Sequence, residues 1–371
     1  MKYSRLTITL CLSVVFSLIF VQLPLTTARA VEVNASLPIQ GHANGSQQTG
    51  PPARAKVSDF DGDGKADLAV FRPSSGTWFI RYSSDNSFHG AQFGISTDIP
   101  VPGDFDGDGK TDIAVFRPSE SRWYIQNSSD GSVDTVAWGQ SGDQPLASDY
   151  NGDGKADYIT IRTSPAGIIL NIGIAPESGA PRNSPIPIPG GFPRKEAIPI
   201  FVIFVTILVI IALVDKFLLD GVLLGDGDGD AKADATAWSA SDGTWNQLRS
   251  ADGSFHRTVW GTNGDKPLMG DFDGDHKDDL TVFRPGDHFW YILRSSDDGF
   301  TAVPWGLNTD IPVPADYDGD GKTDISVFRP SNGNWYILNS NGGTIRAEQF
   351  GLAGDIPIPA AYVRSDGNQL G

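Results

Sequence analysis

The chain has 371 residues, 43 of them glycine and 25 proline, and a formal charge of −17. That length allows one large domain or two ordinary ones. The acidic balance argues against nucleic acid and anionic lipid as partners and favours cations.

Residues 1–30 read as a secretory signal. Lys2 and Arg5 give a positive start, Leu6 to Val21 is mostly apolar, and Ala28-Arg29-Ala30 has the small-residue form of a cleavage site. The apolar run is also near membrane-span length, so an uncleaved anchor is the alternative. Cleavage removes Lys2, Arg5 and Arg29 with no acid and takes the charge from −17 to −20. It also removes Cys11, the only cysteine. An exported chain without thiols is then held by packing or by metal. Residues 31–56 have little periodicity and many small polar residues, and read as a flexible leader.

From residue 57 the chain repeats. DFDGDGKAD at Asp59 returns at Asp104, Asp149 (DYNGDGKAD), Asp226 (DGDGDAKAD), Asp271 (DFDGDHKDD) and Asp316. The starts are 45 residues apart within each set of three, and a further 45 reaches Ala361, a worn seventh start. With each first Asp counted as zero, Phe-Arg-Pro begins at +12 (Phe71, Phe116, Phe283, Phe328) and tryptophan stands at +19 (Trp78, Trp123, Trp245, Trp290, Trp335). An aromatic-Gly pair begins at +34 (Phe93, Trp138, Trp260, Trp305, Phe350), followed by Asp at +39 and Pro at +41. A fixed period of this length marks a repeat architecture.

Within the first unit, short β-branched and aromatic runs predict strands over Asp67–Arg72, Thr77–Tyr82 and Ala91–Gly94, with a fourth, Pro-punctuated run at Ile99–Phe105. No stretch of a unit has helix periodicity. Four short strands in about 45 residues predict an all-β fold, a β-propeller of four-stranded blades. All nine tryptophans fall at +12 (Trp238), +19 or +34, so those at +19 are expected in the core between blades. The alternative for them is a sugar-stacking platform.

Acidic residues at loop positions 1, 3 and 5 put oxygens on one side of a tight turn. Gly at position 6 permits the bend, position 7 can offer a backbone carbonyl, and Asp at position 9 closes the cage. Oxygen donors, mostly carboxylate and without recurring His or Cys, suit Ca²⁺ rather than Zn²⁺. An EF-hand is excluded, because position 12 is Val70, Val115, Thr160, Ala237, Val282 or Val327 where that loop needs Glu. An empty acidic turn fits one copy better than six at fixed spacing. Ala231 and His276 replace the position-6 glycine in two loops, and are expected to carry strain there.

The run D-x-D-G-D-G-x-x-D before a strand, with a later Phe-Gly and Pro, resembles the FG-GAP/VCBS repeat of integrin α-subunit propellers and many secreted bacterial proteins. The resemblance spans about residues 57–170 and 225–362. It implies a β-propeller, often seven-bladed, with Ca²⁺ held at positions 1, 3, 5, 7 (through the backbone) and 9. In this chain those are Asp59, Asp61, Asp63, Lys65 and Asp67, then Asp104, Asp106, Asp108, Lys110 and Asp112. The third loop offers Asp149, Asn151, Asp153, Lys155 and Asp157, and the fourth Asp226, Asp228, Asp230, Lys232 and Asp234. The last two offer Asp271, Asp273, Asp275, Lys277 and Asp279, and Asp316, Asp318, Asp320, Lys322 and Asp324. Relatives include adhesion proteins, fungal lectins and domains attached to polysaccharide lyases, so no single function is implied.

The middle breaks the period. From Asp149 to Asp226 is 77 residues, and Ile198–Val214 within it carries no charge. Residues 191–225 read first as a degenerate, apolar blade without a metal loop. That makes seven blades, six of them calcium-bearing, with the run Asp355–Tyr362 pairing with the first blade to close the ring. The other readings of Ile198–Val214 are a membrane span and an insertion or gene-model error. No catalytic constellation is visible. His42, His89, His256, His276 and His288 are scattered, and the arginines at +13 (Arg72, Arg117, Arg284, Arg329) are expected to pair with a loop Asp. The expectation is a secreted, non-catalytic, calcium-binding module for an extracellular protein or glycan. The alternatives are a lectin with aromatic pockets between blades and the accessory propeller of a polysaccharide-active enzyme.

Overall fold

Each repeat folds as antiparallel strands, and burial explains their residue pattern. The computed structural model describes residues 58–164, 167–174, 221–359 and 363–364. In the first unit β1 (Leu68–Arg72) is buried along almost its whole length, because a neighbouring blade covers each face. The next strand, β2 (Thr77–Arg81), alternates, with Trp78 and Ile80 inward. The outer strand β3 (Phe88–Gln92) is mostly exposed. It begins three residues before the expected Ala91, because a single-sided edge strand needs no apolar run.

The fourth run of each unit belongs to the next blade. Strand β4 (Ile99–Pro100) pairs with β5 (Ile113–Arg117), which continues into β6 (Arg122–Gln126) and β7 (Val133–Ala137). It spans two residues because prolines 100 and 102 lack the N–H a longer ladder requires. The third sheet contains β8 (Gln144–Ser148), β9 (Asp157–Ser164) and β10 (Gly167–Gly173). The fourth contains β11 (Gly221–Gly225), β12 (Asp234–Ser239), β13 (Thr244–Leu248) and β14 (Phe255–Val259). Blade 5 is β15 (Lys266–Gly270), β16 (Asp279–Arg284), β17 (Phe289–Leu293) and β18 (Phe300–Pro304). Blade 6 is β19 (Ile311–Pro312), β20 (Ile325–Arg329), β21 (Asn334–Leu338) and β22 (Ile345–Gln349).

Blade 1 has no preceding unit to supply its inner strand. The chain's end supplies it: β23 (Ile356–Ile358) pairs antiparallel with β1, Ile356 opposite Phe71. Within the run Asp355–Tyr362, expected to close the ring, Ile356–Ile358 is thus the closing strand of blade 1. Beyond it β24 (Val363–Arg364) pairs with the free edge of β11 in blade 4.

Six apolar clusters fill six blade junctions. Trp78, Trp123, Trp245, Trp290 and Trp335 are fully buried in them, as expected at +19. Each indole N–H donates to the +34 carbonyl of its own blade, at 2.7 to 3.2 Å. The aromatics at +34 are half-buried.

Among the described residues the propeller has six blades, not the seven expected. Blades 3 and 4 meet directly, Ile159 and Ile161 packing against Val222. The Ala233 N–H of blade 4 donates to the Asp149 carbonyl of blade 3 at 2.8 Å. That contact repeats the one at every other junction, so no blade intervenes. The expected fourth unit near Gly191, the apolar run Ile198–Val214, the signal at 1–30 and the leader at 31–56 lie outside the described residues, as does Ala361. Among the described residues no helix is long and apolar enough to cross a membrane.

Candidate metal centre

Five acidic loops join the inner strand of a blade to the next one, the first leads into β1, and all six lie on the same face of the ring. In the first, the backbone wraps around Asp59. Its carboxylate accepts the Gly62 N–H at 2.7 Å and the Gly64 N–H at 2.9 Å. Both glycines have positive φ, 81° and 91°, which turns those amides inward. Asp61 accepts the Asp63 N–H at 3.0 Å, and Asp63 the Lys65 N–H at 2.9 Å. Asp67, fully buried, accepts the Phe60 and Ser83 amides, each at 2.7 Å.

The other loops repeat this wrapping around Asp104, Asp149, Asp226, Asp271 and Asp316. Ala231 and His276, at position 6, hold φ of 67° and 70°, the left-handed conformation expected of them.

In five loops three carboxylates bring oxygens within 4.8 Å of one another. They are Asp59, Asp61 and Asp67; Asp104, Asp106 and Asp108; Asp226, Asp228 and Asp230; Asp271, Asp273 and Asp279; and Asp316, Asp318 and Asp324. The third loop has an amide in place of one carboxylate, and Asn151 Nδ2 donates to Asp153 at 3.1 Å. Burial pushes the Asp67 carboxyl up to about 7, and Asp112, Asp234, Asp279 and Asp324 to about 6. Backbone N–H groups oppose the rise, and neighbouring carboxylates add to it. Asp59 and Asp104 are raised for the same first cause. Crowded acids, the first and last of each loop buried or half-buried, with oxygen donors alone, fit a hard divalent cation.

Two supports were not read from the sequence. The first is a set of hydroxyls from the turn after a blade's third strand, paired in blades 1, 2 and 5. Ser83 Oγ donates to Asp63 at 2.9 Å and Ser84 Oγ to Asp61 at 2.6 Å. Ser128 and Ser129, Ser250, and Ser295 and Ser296 do the same for their own loops, and the Ser340 amide reaches Asp324 at 2.6 Å. Serine at +24 in five of six copies was the available signal, but serine is an ordinary turn residue.

The second support is the lysine at position 7. Its stem lies across the position-4 glycine of the preceding loop, where a Cβ on Gly62 would stand 3.0 Å from Lys110 carbons. Lys155 covers Gly107, Lys232 Gly152, Lys277 Gly229, Lys322 Gly274 and Lys65 Gly319. Beside each lysine, an N–H donates to the first Asp carbonyl of the preceding loop at 2.6 to 2.8 Å: Thr111 to Asp59, Ala156 to Asp104, Ala233 to Asp149, Asp278 to Asp226, Thr323 to Asp271 and Ala66 to Asp316. The six loops thus form one closed hoop.

The arginines pair elsewhere. Arg72, Arg117, Arg162, Arg284 and Arg329 bind Asp355, Asp98, Asp143, Asp265 and Asp310 at 2.6 to 2.8 Å, on the face opposite the loops. Those partners are the aspartates at +39, not the loop carboxylates.

Residues 59–115 and 104–160 match the model of the FG-GAP-like repeat family. The same loop, strand and aromatic register returns in blades 4 to 6, so the fold is a β-propeller that carries FG-GAP-like repeats within residues 59–160. No curated protein matches it. Among solved structures it resembles a chain of the nidogen/laminin complex at 10% identity and TM-score 0.44, over 76% of this chain and 93% of that one. It resembles apo AztD from Citrobacter koseri at 11% identity and TM-score 0.43, over 82% and 89%. A catalytically inactive virginiamycin B lyase from Staphylococcus aureus follows at 9% identity and TM-score 0.39, over 70% and 72%.

Proposed function

We propose that the chain is a secreted, calcium-stabilised propeller that serves as a non-catalytic binding or adhesion module for an extracellular protein or glycan. The observation that carries this reading is the hoop of six acidic loops, each an oxygen-only cage tied to the next. Asp59, Asp61, Asp63, the Lys65 carbonyl and Asp67, with their counterparts, would hold the ions. Bound calcium supplies positive charge that offsets the crowded carboxylates and fixes the loop backbone; it performs no reaction. Calcium modules outside cells bind at about 10⁻⁴–10⁻³ M, within reach of extracellular calcium. The repeated arginines are taken up in ion pairs, which favours a scaffold over a catalyst.

The test is thermal unfolding of the chain from residue 31 onward, with and without millimolar Ca²⁺, alongside metal counting. Several bound ions and a large rise in Tm are expected. A chain that takes up no calcium and unfolds at the same temperature in both solutions overturns the metal reading.

A further inference from the structure

We propose that the cleft between blades 5 and 6 is a binding site for one sugar ring. The cleft encloses about 250 Å³ between Ile292 and Val303 of blade 5 and Leu338 of blade 6. It exists because two side chains at this junction, Thr301 and Ile325, are short. At +30, His89 of blade 1 stacks on Tyr82 with ring centroids 3.9 Å apart. Arg346, at +30 in blade 6, reaches the Tyr317 carbonyl at 3.4 Å. At the junction of blades 2 and 3, Tyr158 stacks on Phe105 at 5.3 Å. Blade 5 has Thr301 at +30, and blade 6 has Ile325 where blade 3 has Tyr158, so the space stays open.

The polar lining defines the ligand. Asn339 is 9% exposed; its Nδ2 donates to Thr344 Oγ1 at 3.1 Å, while its Oδ1 is buried with no partner. A buried acceptor calls for a donor, which a carboxylate or phosphate cannot supply. Arg294 and Lys322 also line the cleft. They donate to Asp297, Thr301 and the Asp273 carbonyl, and both retain further N–H groups that can meet an acceptor. A hydroxyl both gives and accepts. Adjacent hydroxyls on a ring with an apolar face match Asn339 and the cations on one side and the aliphatic walls on the other. The volume lies below that of ordinary ligand pockets, which suits one ring rather than a chain. The walls are mostly aliphatic, with Phe272 as the one aromatic and no tryptophan, unlike the aromatic pockets expected from the sequence.

The proposal rests on the binding-module reading and is tested separately from it. Glucose, galactose, N-acetylglucosamine and glucuronate are titrated into the calcium-loaded chain, with binding followed by ligand-observed NMR. At least one should bind saturably in the millimolar range. Thr301→Arg, at an exposed position, copies the side chain that fills the blade 6 cleft and should abolish that binding. Asn339→Leu should weaken it about tenfold, the worth of one neutral hydrogen bond. Calcium uptake and Tm are measured on the same samples, and both should be retained in Thr301→Arg. No saturable binding of any of the four sugars overturns the site, as does binding that survives Thr301→Arg. Either result with calcium uptake intact leaves the metal-stabilised propeller standing.

Discussion

Blades 1 and 3 carry nearly the same loop, DFDGDGKAD and DYNGDGKAD, yet they build different sites. In blade 1, Ser83 and Ser84 close over the carboxylates from the neighbouring turn. Blade 3 has Gly173 and Ile174 at those registers. Serine cannot stand at 173, because a Cβ there would lie 2.7 Å from the Trp138 indole of blade 2. Asp67 accepts the Phe60 amide at 2.7 Å, whereas the matching Asp157 accepts the Tyr150 amide at 3.1 Å. The packing differs in the same direction. Blade 1 buries Phe71 and Trp78 in its junction with blade 2, while the junction of blades 3 and 4 holds Ile159, Ile161 and Val222. A loop motif specifies the donors; the neighbouring turn and blade specify how firmly they are held.

The sharpest way to break this comparison is to remove the metal. Chelation should lower Tm more than any single substitution, since each filled site contributes about 2.7 kcal/mol at a hundredfold excess of ion over Kd. Calorimetric titration should then resolve five tighter sites and one weaker one, the weak site in blade 3. Six equal affinities would sink the distinction.

Proton competition should come next in size. The folded carboxyl of Asp67 titrates near 7, and four counterparts near 6, against about 3.9 for an unfolded aspartate. Folded pKa values above unfolded ones mean that the metal-free native state holds more protons between those limits. The metal-free chain should therefore lose stability as pH rises from about 4 to 7, while the gain from calcium grows over the same window. Denaturant melts in chelator at several pH values check the sign, and increasing stability towards pH 7 would contradict it.

Asp61→Ala and Asn151→Ala sharpen the comparison directly. The first should cost roughly 2–3 kcal/mol in calcium and one ion in the count, the second under about 1 kcal/mol. Equal losses would show that the serines contribute nothing. The smallest effect concerns Ala231, at φ 67°. Open space surrounds the equivalent glycines 109, 154 and 321, so its cost is conformational. Ala231→Gly should stabilise the chain by about 1 kcal/mol in a denaturant melt.

Much of this molecule is legible in its sequence because repetition amplifies local signals. Alternation in Thr77–Arg81, prolines at 100 and 102, and acids at every second loop position each act over a few residues. Their return every 45 residues marked the strands, the loops, the buried +19 tryptophans and the closing strand at Ile356–Ile358. Tertiary structure alone decided the rest. The number of blades depends on whether blade 4 meets blade 3, a contact between Ala233 and Asp149 that no local pattern announces. The lysine–glycine hoop joins residues far apart in the chain, from Lys110 on Gly62 to Lys65 on Gly319, and the blade 5 and 6 cleft exists because Thr301 and Ile325 are shorter than the side chains that fill other junctions. Strand and loop are set by neighbours along the chain, whereas blade number, site support and open clefts are set by residues that meet only when the ring closes.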